Sequence, residues 1–266
     1  MIVTIILNPF IQGIDWVYHD DAAKITSGNI YLLGELRREQ GFPGYYFVAF
    51  IFKEPLGLIA LLCFSAVIFI RGIRTSTLIR KEIFLLVPIV FFGIYFNFFF
   101  NTQVGIRHFL VIYPMMYVFI GRIAPNLEKQ PATIKAFAIT IMASIAISTL
   151  SYHRHYLSYF NELVWDRKMA YKILADSNLD WGQSQRYLED YLLDHPESIF
   201  QPEQPTPGTI IVGVNNLVGV FSKGYTQFEW LRKNFEPIDH IGYSYLVYYV
   251  PPNSPVLTTR NELKIH

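Results

Sequence analysis

Apolar residues dominate the first 152 positions in four long blocks. Beyond residue 153 the blocks shorten, and acids, amides and prolines return. A bilayer-spanning helix needs about 20 mostly apolar residues. Four segments meet that: 55–70 extended backwards by "YYFVAFIF", 83–100, 102–121 and 134–152. The apolar stretch at 1–14 is too short for a fifth. The start "MIVTIILNPF" lacks a basic n-region and a small-x-small cleavage site, so it reads as the remaining part of a longer membrane helix rather than a signal peptide. In "YFNELVWDRKMAYKILA", Leu163, Met169, Ile173 and Leu174 recur at three- and four-residue steps, which predicts an amphipathic helix. "WGQSQRYLEDYLLDH" predicts a second helix ended by Pro196, followed by the proline-rich loop "PESIFQPEQPTPG". "TIIVGV" and "YSYLVYYV" predict strands, the first too apolar for a surface, with a helix in "TQFEWLRKNF" between them. The expected fold is an α-helical polytopic membrane region of about four transmembrane helices, followed by a small extracytoplasmic α/β domain. Its parts are 1–52, a partial membrane helix and outer loop; 53–152, the transmembrane region; and 153–266, the outer domain.

Composition strengthens this picture. The chain is 52% hydrophobic and only 16% charged, with a mean hydropathy of +0.27; soluble domains carry about 25% charged residues. A net charge of +1, with no basic patch interleaved with aromatics, predicts no nucleic-acid partner. The single cysteine, Cys63, excludes an internal disulfide and CxxC-type metal sites. Loop charges set an orientation. Arg71, Arg74, Arg80 and Lys81 in one loop, and Arg122, Lys129 and Lys135 in another, are expected to face the cytoplasm. Residues 15–53, the turn near Asn101 and everything after about 153 then lie outside, with Tyr45, Tyr46, Tyr152 and Tyr156 at the outer boundary.

Three places depart from a plain anchor. Arg107 is five residues into the third block, roughly 7–8 Å below its start at 1.5 Å per residue. It either faces an anion in a cavity or snorkels to the headgroups. His108 beside it has a weaker case, and Pro114 is expected to bend the helix and open space. Lys53 and Glu54 precede Pro55, which suits either a helix start at the membrane edge or a charged cavity wall. In "ADSNLDWGQSQ", Ser177 and Asp180 have capping-box spacing; Asp176 and Asp180 are alternatively acids for a sugar or metal site, although no ligand set closes around them. His153, Arg154 and His155 fit interfacial anchors better than metal ligands. P-loop, GxSxG, dinucleotide and HExxH signatures are missing, which argues against a soluble-type nucleotide enzyme.

The ordered motifs "YLLGE", "YYFVAFIFKEPLGL", "GIRHFLVIYP", "YFNEL", "DSNLDWGQ" and "IGYSYLVYYV" cover nearly the whole chain. In them the sequence resembles the C-terminal half of bacterial membrane glycosyltransferases of the GT-C type, the family-39, dolichyl-phosphate-mannose protein-mannosyltransferase-like enzymes. The resemblance implies sugar transfer from a polyprenyl-phosphate donor to a glycan, lipid or protein acceptor, on the outer face of the bacterial plasma membrane. It implies that Arg107 and His108 bind the donor phosphate, that Lys53, Glu54 and Tyr113 line the cavity, and that Asp176, Asn178, Asp180 and Trp181 form an outer-domain motif. No cofactor is evident from the residues, and a divalent metal requirement stays open because they hold no metal-ligand cluster. The family's first outer loop, which carries its catalytic acid, has no counterpart in these residues. Asp15, Asp20 and Asp21 belong to a later loop and do not inherit that role, so no catalytic residue is assigned. The alternative is a non-catalytic membrane-anchored module whose outer domain binds a glycan or protein partner.

Overall fold

The computed structural model describes residues 11–13, 15, 16, 19, 29–38, 40–72, 79–123, 131–221 and 227–258. The segment "MIVTIILNPF", Asp20, Asp21, Arg74, Lys129 and the side chains of Arg80 and Lys81 lie outside the described residues. Strands β1 (Asn29–Leu32) and β2 (Glu35–Arg38) pair antiparallel. Leu33 and Gly34 between them both take positive φ, 49° and 87°, the requirement of a type I′ turn.

Helices α1 (Tyr45–Lys53) and α2 (Leu56–Gly72) follow. The sequence predicts one continuous helix here; instead the two meet at 115°. Pro55 removes a backbone donor and pushes the preceding residue out of the helical region, and Glu54 is extended with ψ 140°. The Asn161 amide donates to the carbonyls of Ile51 (2.6 Å) and Glu54 (2.7 Å), taking up acceptors released at the break. Next come α3 (Ile79–Phe98), a 3-10 turn (Ile106–Ile112), α4 (Tyr113–Gly121) and α5 (Ala132–Leu150).

The expected single helix over 102–121 is therefore shorter, and Pro114 sits in the first turn of α4 rather than bending its middle. Gly105 ends the irregular entry with φ 154°. Among the described residues, α5 alone is long and apolar enough to cross a membrane by itself. The bent α1–α2 pair passes together, and Glu82–Phe98 and Ile106–Gly121 are apolar but shorter. The four expected spans are thus one full-length helix, one bent pair and two shorter helices.

From residue 153 the amphipathic helix expected over 159–175 is replaced by turns and a 3-10 segment, Arg167–Lys172. Tertiary partners claim the backbone there: Asn161 N–H donates to Phe52 (2.9 Å), and the Ile173 carbonyl accepts from Leu33 (2.8 Å). Helix α6 (Gln185–Asp194) then leads to β3 (Ile199–Phe200) and β4 (Gly208–Gly213), the short helices α7 (Val214–Val218) and α8 (Glu229–Asn234), β5 (Asp239–Ile241), β6 (Tyr245–Val250) and α9 (Pro255–Thr258). Sheet order is β3-β4-β6-β5, with β3 parallel to β4 and the other pairs antiparallel.

Ile210 and Val212 of β4 point to one core and Ile211 to another beneath α6, the two-residue alternation of a strand. The larger core is continuous from β1 and α1, through Phe109, Tyr113 and Leu179, to Leu231 and Tyr248. The β1–β2 hairpin is fastened to the sheet-bearing part by Asn29, whose amide donates to the Gly219 carbonyl (2.9 Å). On the opposite flank, α5 buries Ser148 alone of its 19 residues, and α3 exposes Phe84, Phe91 and Phe98 at seven-residue steps.

Candidate functional site

The two motifs singled out in the sequence meet in space. The Arg107 guanidinium lies 4.8 Å from the centre of the Trp181 ring, within the range of a cation–π contact. Arg107 is exposed, and Trp181 is 62% exposed, so the pair forms an open face. Among the described residues Arg107 makes no hydrogen bond or ion pair, leaving its planar fork of donors available to an anion.

Local structure holds this face in place. Gly105 abuts the Ser177 side chain, and the Ser177 hydroxyl donates to the Val104 carbonyl. Ser177 therefore clamps the 3-10 segment and does not cap a helix. The N-cap of α6 falls later, at Ser184. Asp176 adopts φ 58°, a left-handed conformation that Asp and Asn tolerate better than most residues. Its carboxylate accepts from Ser177 N–H (2.7 Å), and its own N–H donates to Asn215 Oδ1 (2.7 Å). Burial pushes the Asp176 carboxyl up to about 6, against the lowering influence of the Ser177 N–H and the nearby Arg107 charge; Asp180 adds to the rise. A carboxyl with a value near neutrality is suited to proton exchange. Asp180 accepts from Gly182 N–H (3.0 Å) in a tight turn that presents Trp181.

Asn178 is the buried centre of the arrangement. Its amide donates to the Tyr45 hydroxyl (2.8 Å) and to the Ala175 carbonyl (3.1 Å), while its Oδ1 accepts from Ile106 N–H (3.1 Å). Its own carbonyl accepts from Lys53 Nζ (2.6 Å), which also donates to the Leu157 carbonyl (2.7 Å). Lys53 is 8% exposed and lies 4.8 Å from the Phe160 ring centre. Its ammonium thus ties α1 to the segments around Leu157 and Asn178, under the open face rather than on it.

Glu54 accepts from the Tyr113 hydroxyl at 2.6 Å, a separate pair beside the α1–α2 break. His108 is half-buried, with its ring 5.2 Å from that of Phe100. Adjacent residues in a 3-10 turn project about 120° apart, so His108 and Arg107 do not share one face.

The structure therefore brings together Arg107 and Trp181 at the surface, the partly buried Asp176 and Asp180 beside them, and Lys53 with Asn178 below, and leaves Glu54–Tyr113 and His108 apart. Sequence reasoning missed Asn215, Gln183 and Asn161. Gln183 donates to the Leu179 carbonyl (2.9 Å) and the Ser244 hydroxyl (3.1 Å), tying the motif to the β5–β6 turn. Asn161 precedes Glu162, Gln183 lies between Gly182 and Ser184, and Asn215 stands beside Asn216, so none is marked by its neighbours, and only its long-range partners reveal its role. Among the described residues no group of three or more His, Cys, Asp or Glu is placed to hold a metal. The chain matches no family model, no curated protein and no solved structure, so it is the geometry of the Arg107–Trp181 face that identifies the site.

Proposed function

We propose that this chain is a membrane-embedded part of a polyprenyl-phosphate-sugar-dependent glycosyltransferase, in which Arg107 receives the donor phosphate on the outer face. The membrane part rests on surface chemistry. An almost unburied apolar α5 and the Phe84–Phe91–Phe98 stripe of α3 make an apolar surface beyond what soluble monomers expose, and lipid removes that cost. The four apolar blocks then lie within the bilayer, and the sheet domain stands outside it.

The observation that carries the reading is Arg107 itself, stacked on Trp181 yet without a hydrogen bond or ion pair among the described residues. A guanidinium resting against an aromatic ring can present its N–H edge to phosphate oxygens and stabilise charge that develops as a phosphate leaves. Asp176, next to it, tunes the local field. Lys53 and Asn178 fix the platform, and Glu54 with Tyr113 lies deeper along the path from the apolar layer.

The test is binding of a polyprenyl monophosphate to the full chain in phosphatidylcholine nanodiscs, followed by native mass spectrometry. Removing one charge-assisted contact costs roughly 1.5–3 kcal/mol. Arg107→Ala is therefore expected to weaken binding by about 10–100-fold, with Arg107→Lys intermediate. Equal binding by the wild type and Arg107→Ala would remove the phosphate role.

A further inference from the structure

Where α5 ends, the chain folds back and encloses a cleft of about 160 Å³ whose lining includes Ser151, Phe160, Asn161, Glu162, Trp165 and Arg167. This is well below the roughly 300–1,000 Å³ of a drug-sized pocket. It suits a compact polar group and excludes an oligosaccharide.

Most of its polar atoms are already committed. Both Asn161 amide hydrogens go to the Ile51 and Glu54 carbonyls, and its Oδ1 accepts from Leu163 N–H. The Ser148 hydroxyl pairs with Tyr159, and the Ser151 hydroxyl donates to the Ser148 carbonyl while accepting from Arg167. Arg167 also donates to the Ser151 carbonyl (3.1 Å) and the Tyr243 hydroxyl (3.1 Å), and its guanidinium lies 4.1 Å over the Tyr152 ring.

Two groups retain capacity. Arg167 keeps its Nε–H and one Nη2–H, and Glu162, an exposed carboxylate, makes no hydrogen bond or ion pair among the described residues. Trp165 stands 96% exposed at the rim. A neutral sugar needs the amide and hydroxyl atoms already spent. A simple anion is opposed by Glu162 and a simple cation by Arg167. A molecule carrying both a phosphate and a primary ammonium satisfies the two together, with the Trp165 ring as a further surface for the cation.

We propose that this cleft binds the phosphoethanolamine group, presented as the headgroup of a phosphatidylethanolamine in the adjoining leaflet. The proposal rests on the membrane embedding proposed above. Ile147 and Leu150 at the end of α5 and Leu163 beside the cleft are exposed where acyl chains would lie, and Trp165 has the rim position that tryptophans favour at a membrane interface.

The test is native mass spectrometry of the full chain in nanodiscs of equal parts phosphatidylethanolamine, phosphatidylglycerol and phosphatidylcholine, scoring the lipids retained after release. Phosphatidylethanolamine is expected to be retained several-fold over the other two, and Glu162→Gln to abolish that preference with an unchanged melting temperature. Retention without preference, or a preference that survives Glu162→Gln, overturns the proposal. Displacement by an equal concentration of soluble O-phosphoethanolamine overturns the lipid source. Release of the native chain from membranes by alkaline carbonate would sink the membrane embedding, an outcome distinct from a chain retained without lipid preference.

Discussion

Replacing Asn178 by alanine strips the centre of the candidate site. Asn178 is 1% exposed, and its side chain serves Tyr45, Ala175 and Ile106. The Tyr45 hydroxyl, on a residue 1% exposed, loses its hydrogen-bond partner among the described residues. A buried polar group left unpaired costs about 1–3 kcal/mol. Ile106 N–H loses its acceptor too, but this residue is half-buried and water offsets part of that loss. The sum is about 2–4 kcal/mol, a large share of the 5–15 kcal/mol that typically holds a folded chain together. For a chain of this size each kcal/mol lowers the melting temperature by roughly 2–4 °C, so a drop of about 5–15 °C is expected. The assay is thermal unfolding in nanodiscs followed by tryptophan fluorescence. A melting temperature for Asn178→Ala within about 1 °C of the wild type would refute the reasoning, because it would mean that these bonds carry no net stability.

Other perturbations test the neighbouring groups. With Asp176 raised to about 6 in the fold and near 3.9 when unfolded, the folded state binds more protons between these values. Stability therefore falls as pH rises from about 4 through 6. For this largely buried group the ionised carboxyl costs up to about 3 kcal/mol. Asp176→Asn tolerates the same positive φ and is expected to be more stable than the wild type at pH 7.5 and equal to it at pH 4; unfolding scans at both values check this, and a larger gain at pH 4 contradicts the sign. Gly105→Ala combines a disfavoured φ with a side chain driven into Ser177. A loss of about 1–3 kcal/mol is expected, and polyprenyl monophosphate binding should weaken with it as Arg107 shifts; thermal unfolding and the nanodisc assay check both.

The elements that could be read from sequence are those whose signal is local. β4 shows as an uninterrupted β-branched run because both of its faces are covered, and α6 shows because one apolar stripe ends at Pro196. Failures came where distant groups decide. The segment 159–175 has helical spacing, yet its backbone is bonded to α1 and to the hairpin, so no local pattern reports its path. The hairpin turn places Leu33 at positive φ without the Asn-Gly signature that announces such turns. Arg107 stands out along the chain as a cation in an apolar block, whereas Trp181 enters only as part of the motif "DSNLDWGQ". Their meeting depends on the Gly105–Ser177 contact, which is invisible along the chain. Lys53 was legible as a charge next to proline, but its inward course is set by the Asn178 and Leu157 carbonyls.

The 115° break at Glu54–Pro55 also decides how α1 and α2 answer to a load. The Lys53 ammonium and the Asn161 amide hold the end of α1 through the Leu157, Asn178, Ile51 and Glu54 carbonyls. Straightening the pair into one rod would break these bonds, so a push along α2 is met at the break rather than passed along α1. Removing the Asn161 amide or the Lys53 ammonium would release the bend first.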